Sequence, residues 1–532
     1  MKAIILLYVI ISILRSESVY SKGTLSEFKV SAIHELLKKG GWNCTDVIEY
    51  FIKRAVTYNP IIKALINFNP KAQVEAYDLD ASSIMKKKVF KGQLHCIPLI
   101  IKDNIDVAGV PSTGGIKALR YSIPNKDAPA IDKLRKEGAI AIAKANMAEM
   151  ATGDLENSEM GGQCLNPFDL KRTCGSSSSG SCGGISSAMA IISLGTDTGG
   201  SILQPASFNG LFGMRTSVGY PKTEGIIPLF DKQDVVGPIA KHLDDLVLAY
   251  SIMVDNKTIQ ENYLKKVDPS KLKLGYFTNF FNTFNITSPK LNNKMYYLDS
   301  DIKEIMLNTI KKFKSLNINV IENSLNQTEL TELINVIYTI TDQDVQTICL
   351  ASCAKSSLNN YFNDSSRFGV DAPYKNYDQL ALSSLLTKTW VERFSQGNLL
   401  GAACSANCQG YAQMIVSFKN TIDNWFSSND VDAYIFPSFA HPPYLLVNDS
   451  SRADANRIES VMGISPLTYY PSITAPVGFS QPTIEQPDGL PVNVFLFSKP
   501  ESFDKVFQIF KLFENLGKID KLPSTPPLLL SN

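Results

Sequence analysis

Apolar positions between Leu25 and about Ile66 recur at helical spacing. In the stretch CTDVIEYFIKRAV, Val47, Ile48, Phe51 and Ile52 share one face, and Thr45 stands where an N-cap belongs. The period then changes. CIPLIIKDN is a short unbroken apolar run ending at Lys102, which predicts a buried strand. PAIDKLRKEG predicts a helix closed by Gly138, and AIAIAKAN the strand after it. Strand and helix signals keep alternating, so the pattern predicts an α/β fold with a mainly parallel sheet covered by helices on both faces. From Asn256 to about Asp430 the spacing is mostly helical and more irregular, as expected of a helical insertion. DAYIFPS and VNVFLFS predict further strands, and Phe503, Val506, Phe507, Phe510 and Phe513 form the apolar stripe of a last helix. No internal repeat or low-complexity linker divides the chain, which predicts one large domain over 22–532.

Composition narrows the partners. The 532 residues carry 52 basic and 51 acidic side chains, a net charge of +1, so there is no electrostatic case for nucleic acid or an anionic membrane. The N-terminus, MKAIILLYVIISILRSESVYSKG, sets Lys2 before an apolar run from Ala3 to Leu14, with small residues at Ser16, Ser18 and Ser21. Residues 1–21 read as a secretory signal peptide, which places the chain outside the cell or in the lumen of the secretory route. An uncleaved anchor or a buried N-terminal helix is the alternative. No later stretch is long and apolar enough for a stable transmembrane span.

Passage through that route gives the nine cysteines meaning. Cys349 and Cys353, and likewise Cys404 and Cys408, are spaced to share one helix face. Antiparallel packing of the two helices would bridge Cys349 to Cys408 and Cys353 to Cys404. A metal site without nearby histidine, or buried thiols, are the competing readings, and the odd count leaves one sulfur over. N-x-S/T triplets begin at Asn43, Asn256, Asn285, Asn326, Asn363 and Asn448, acceptors for glycans in a secreted glycoprotein.

The chemistry is notable first for what is missing. Of the four histidines, His34, His95, His242 and His441, none belongs to a metal-binding helix or ligand cluster. There is no G-x-S-x-G elbow. The loop Gly175 to Gly180 lacks the Lys-Ser/Thr of a phosphate-binding loop. No metal and no cofactor are expected. In AIISLGTDTGGSILQPASFNG, by contrast, Gly199 and Gly200 free the backbone just before Ser201. Their N–H groups can face a developing oxyanion beside a nucleophile. A tight turn that needs glycine for packing alone is the plainer reading. NPFDLKRTCGSSSSGSCGGISSAMA is crowded with Gly and Ser between core strands, where a loose linker makes little sense. Lys102 would reach the C-terminal edge of the sheet, where burial lowers a lysine pKa and frees the amine as a base. The plainer reading there is a solvated strand-end lysine paired with Asp103.

Taken together, GQLHCIPLIIKDNIDVAG, KRTCGSSSSGS, LGTDTGGSILQPASFNGLFGMRTSVG, DAYIFPS and SITAPVGFS…GLPVNVFLF resemble the amidase signature family, which includes fatty acid amide hydrolase and the A subunit of the amidotransferases. The resemblance runs from about Leu25 to Phe513 and is densest over Lys91 to Gly237. It implies a single α/β/α domain with a mixed central sheet, a catalytic core at about 91–250 and the helical insertion at about 256–430. It implies a Ser–cis-Ser–Lys triad with Ser201 as nucleophile, Ser177 as the cis-peptide serine and Lys102 as base. Spacing favours Ser177 over Ser178 within the four-serine run. Oxyanion donors fall on the N–H groups of Thr198, Gly199, Gly200 and Ser201, and Ala151 lines the acyl site. Five positions depart from the family: Leu203 where arginine is common, Ser176 and Ser179 where glycines flank the serine pair, Cys96 for glycine, and Cys174 for proline. The implied function is a secreted amidase that cleaves a small carboxylic amide to acid and amine or ammonia through an acyl-enzyme, with short, aryl and fatty amides all open. A glutamine-dependent protein resembling the amidotransferase A subunit is one alternative. A catalytically inactive secreted binding protein, for which Leu203 is the best argument, is another. The oligomeric state is not written in the sequence.

Overall fold

Asn43, not Thr45, caps the helix Cys44–Ile62. The Asn43 side chain accepts from Asp46 N–H, and the Asp46 side chain accepts from Asn43 N–H. Thr45 already lies inside the helix, and its N–H and hydroxyl are both bound to Asp80. Val47, Ile48 and Phe51 are buried as their spacing requires, while Ile52 is only partly covered. This computed structural model describes residues 29–85, 89–152, 157–286, 294–341, 345–364, 366–368, 372–400, 404–446, 458–481 and 489–515. The segment read as a signal peptide and the triplet at Asn448 lie outside the described residues.

The short apolar runs become eleven strands of one sheet. In chain order they are β1 Leu65–Phe68, β2 Pro98–Lys102, β3 Ile140–Ala145, β4 Ile192–Asp197, β5 Phe212–Arg215 and β6 Val235–Ala240, followed by β7 Lys273–Phe277, β8 Asn319–Asn323, β9 Ala433–Pro437, β10 Ser472–Phe479 and β11 Pro491–Phe497. Their order across the sheet is β1-β3-β2-β4-β6-β5-β10-β11-β9-β7-β8. The sheet is mixed rather than mainly parallel. Six neighbouring pairs run antiparallel and four parallel, the latter being β2/β3, β2/β4, β7/β8 and β7/β9. An unbroken apolar run reports burial on both faces and says nothing of direction, which is why alternation alone misjudged the sheet.

The stretch from Asn256 to Asp430 is also less of an insertion than its spacing suggests, because it supplies β7 and β8. Strand β8 is an edge strand with no fully buried residue, so it has no apolar run to betray it. The helical part proper comprises Gln327–Thr341, Val345–Phe362, Tyr377–Ala381, Lys388–Leu400 and Cys404–Asn429. Buried side chains from it (Leu358, Tyr361, Phe362, Trp390 and Phe394) join Ile116, Met150 and Ile227 of the remaining chain in one apolar cluster. The last helix, Phe503–Asn515, buries Phe503, Val506, Phe507, Phe510 and Phe513 as expected, and Ile509 as well.

A disulfide joins Cys44, at the start of its helix, to Cys96, in the turn before β2. Cys96 has φ 63°, the left-handed conformation that explains why glycine is usual there. Cys353 and Cys408 are each disulfide-bonded, but not to each other, because their sulfurs lie 3.3 Å apart, and the two cysteine-bearing helices do pack together. The side chains of Cys349 and Cys404 lie outside the described residues. Cys164, Cys174 and Cys182 are buried.

Candidate active site

Strands β2 and β4 lie side by side and parallel, with Ile101 opposite Leu194. Their C-terminal ends therefore open on the same edge of the sheet, which brings Lys102 to Thr196. The Lys102 side chain is wholly buried. Its Nζ lies 2.7 Å from Ser177 Oγ, 2.8 Å from Thr196 Oγ1 and 3.1 Å from Thr196 O. Asn104 Nδ2 donates to the same Thr196 hydroxyl at 3.1 Å. Burial is the main force on the amine, and it brings the pKa down to about 7 against the opposing pull of Asp197, Asp234 and Cys182. Asp103 is not the lysine's partner. Its carboxylate faces Lys144 at 3.6 Å and accepts from Thr113 N–H at 3.1 Å.

Ser177 follows a cis peptide bond between Ser176 and Ser177. The geometry separates the four serines. Ser177 Oγ meets the lysine, whereas Ser178 Oγ donates to Thr196 O at 3.2 Å. The hydroxyls of Ser176 and Ser179 are buried and have no hydrogen-bond partner among the described residues. Ser201 is held beside this loop by its backbone, with Ser178 N–H donating to Ser201 O at 3.1 Å. Among the described residues the Ser201 hydroxyl has no hydrogen-bond partner, so only the Lys102–Ser177 leg of the expected triad is closed.

Asp197, a residue the sequence left without a role, shapes the loop around Ser201. Its carboxylate accepts from Gly200 N–H at 2.8 Å and from Ile202 N–H at 2.7 Å. Gly200 is thereby removed from the expected oxyanion donors, because its N–H is already spent on Asp197. The N–H groups of Thr198, Gly199 and Ser201 carry no such bond among the described residues. The two glycines also differ in kind. Gly200 has φ +121°, which excludes an ordinary side chain, whereas a Cβ on Gly199 would meet nothing within 4 Å. Gly199 is exposed and Ser201 partly so, which makes this the open side of the site. The helix after the loop, Leu203–Phe208, begins two residues beyond Ser201.

Two further segments brace the site. Ala148 N–H donates to Ser177 O at 3.2 Å, tying the 147–151 segment to the serine loop. Ala151, three residues on, is buried with φ 61°. From the other side, Thr198 donates its hydroxyl to Asp234 at 2.5 Å, and Gln233 Nε2 donates to Thr198 O at 2.6 Å. Burial pushes the Asp234 carboxyl up to about 6. Among the described residues no cluster of His, Cys, Asp or Glu is arranged to hold a metal ion, and no helix is long and apolar enough to cross a membrane.

Against known proteins, the family profile described as Amidase matches residues 46–503. The A subunit of glutamyl-tRNA(Gln) amidotransferase from Fusobacterium nucleatum is 28% identical over 516 residues, covering 93% of this chain and 99% of the relative. The protein of the same name from Bdellovibrio bacteriovorus is 26% identical over 488 residues, 88% of this chain and 92% of its own. Among solved structures, native peptide amidase from Stenotrophomonas maltophilia superimposes with a TM-score of 0.72 at 22% identity, covering 92% of this chain and 97% of its own. At that identity the likeness speaks for the fold.

The two glycines should respond differently to the same substitution. Gly200→Ala is expected to lose about 1–3 kcal/mol of stability from backbone strain, and Gly199→Ala no more than about 0.5 kcal/mol. Chemical denaturation of both variants checks this. Equal losses would mean the loop conformation at residue 200 is not as described.

Proposed function

This chain belongs to the amidase family and is an amide-hydrolysing enzyme, and we propose that it is a secreted amidase acting through Ser201, Ser177 and Lys102. The observation that carries the reading is the buried Lys102 amine in contact with Ser177. A neutral amine has two N–H groups and one lone pair. Thr196 O and Thr196 Oγ1 occupy the two N–H groups, so the lone pair is left for the Ser177 hydroxyl. Lys102 then takes the Ser177 proton as Ser177 takes the one on Ser201. Ser201 Oγ attacks the amide carbon, and the carbonyl oxygen becomes an oxyanion facing the N–H groups of Thr198, Gly199 and Ser201. Ser177 returns a proton to the leaving nitrogen, the C–N bond breaks, and the acyl group remains on Ser201. A water molecule then repeats the relay, which releases the acid and restores the serine. Closing the open Ser177–Ser201 leg falls to the substrate complex, since catalytic hydrogen bonds commonly tighten only there.

Secretion is the second part of the proposal. The 1–21 pattern supports it, and so do the disulfide-bonded Cys44, Cys96, Cys353 and Cys408, which suit an oxidising compartment. The names of the relatives favour a second reading, one component of an amidotransferase that works with partner subunits. A catalytically inactive binding protein is supported by Leu203, but Lys102 and Ser177 retain the contact that a binder has no need to keep.

Two outcomes are expected. An alkyl fluorophosphonate should label Ser201 and fail on Ser201→Ala. Because only the neutral amine serves as base, the labelling rate should climb as pH rises through about 7 and then level off. A midpoint near the ordinary lysine value would defeat the reading. Expressed at full length in a eukaryotic secretory host, the chain should appear in the medium, begin near residue 22 by N-terminal sequencing and shrink on peptide N-glycosidase treatment. Retention in the cytosol with copurifying subunits would favour the amidotransferase.

A further inference from the structure

Position 203 is apolar and wholly buried in the core cluster that contains Phe212 and Met214. No cation therefore stands two residues after Ser201, yet Asp197 is a fully buried carboxylate whose charge has to be met. Arg215, at the end of β5, meets it. The guanidinium is wholly buried, with Nη1 donating to Asp197 O at 2.6 Å and to Asp197 Oδ1 at 3.2 Å, and Nη2 donating to Gln233 O at 3.0 Å. Both residues it grips are supports of the nucleophile loop. Asp197 holds Gly200 and Ile202 by their N–H groups, and Gln233 holds Thr198 by its carbonyl. Gln233 is held in turn by the Tyr411 hydroxyl, from the Cys404–Asn429 helix.

We propose that Arg215 is the positioning cation of the nucleophile loop, the role that Leu203 leaves open. It rests on Ser201 being the nucleophile and goes beyond that reading by naming what holds it. Arg215 touches no reacting atom. It acts by fixing the Asp197 and Gln233 supports, so that the loop keeps the N–H groups of Thr198, Gly199 and Ser201 available to the oxyanion. It also cancels a negative charge that would otherwise oppose both the oxyanion and the neutral lysine. The charged and titratable groups facing Arg215 are Asp197, Asp234, Tyr411 and Tyr469, and those facing Lys102 are Asp197, Asp234 and Cys182. Asp197 and Asp234 are common to both. Removing the arginine leaves their pull on a Lys102 proton unopposed, so the neutral base should form only at higher pH.

The test is saturation kinetics of fluorophosphonate labelling at Ser201, followed against pH, in the full-length chain and in Arg215→Gln and Arg215→Lys. Arg215→Gln should lower the maximal labelling rate ~100-fold with the half-saturating concentration little changed, and should move the pH midpoint upward by about half a unit or more. Arg215→Lys keeps the charge but loses the fork. It should keep the parent midpoint and lose only ~10-fold in rate. A folded Arg215→Gln with the parent's rate and midpoint overturns the proposal, as does a loss confined to the half-saturating concentration. If Arg215→Gln does not fold, Arg215→Lys decides, and an unchanged maximal rate or a shifted midpoint overturns it. Ser201→Ala separates the two claims. Labelling that survives in Ser201→Ala defeats the nucleophile reading, whereas labelling lost there but unaffected in Arg215→Gln defeats the arginine's role alone.

Discussion

The burial of one amine is the constraint on which the site depends. Lys102 sits at the end of a strand with no exposed residue, and its own side chain is wholly buried. Water that would stabilise the ammonium is replaced by two oxygens of Thr196 and the hydroxyl of Ser177. Lowering the pKa from 10.5 to about 7 corresponds to about 5 kcal/mol of lost stability at neutral pH and below. The folded-state value is depressed, so this penalty fades as pH rises toward the ordinary lysine value. The rest of the large sheet offsets it by packing.

The loop that carries Ser201 obeys a second electrostatic requirement. A short run that presents N–H groups outward has to turn its own polar atoms onto something else. Asp197 satisfies Gly200 and Ile202, Gln233 satisfies the Thr198 carbonyl, and Asp234 satisfies the Thr198 hydroxyl. These supports bring two carboxylates close to the base, and each favours the protonated lysine. Desolvation outweighs them. The same carboxylates thus hold the loop and pull Lys102 toward its protonated form, so in the proposed mechanism the balance of buried charge around Lys102 governs how readily the neutral amine forms.

Much of this was legible in the residues. The apolar runs at Pro98–Lys102, Ile140–Ala145 and Ala433–Pro437 became strands as read, and the motif blocks pointed to Lys102, Ser177 and Ser201. Strand direction was not legible, since a doubly buried run looks the same either way. Strand β8 escaped because a half-covered edge strand has neither alternation nor a run. Thr196, Asn104, Gln233 and Arg215 escaped for a different reason. Each acts through a contact made across the sheet or from a distant loop, and spacing along one segment cannot report that. Asp197 lay inside the motif and still went unread, because its task is to bind N–H groups three and five residues further on. The Cys44–Cys96 bond crosses 52 residues with no repeated spacing, unlike the paired cysteines of the two later helices.

The central claim concerns the protonation state of one nitrogen, and that can be observed directly. In protein labelled with 15N and 13C in its lysines, the side-chain resonances followed against pH should contain a group that titrates near 7 and is absent from Lys102→Met. If every lysine, including the one lost in that variant, keeps its proton until pH approaches the ordinary lysine value, Lys102 is not the base and the account is wrong.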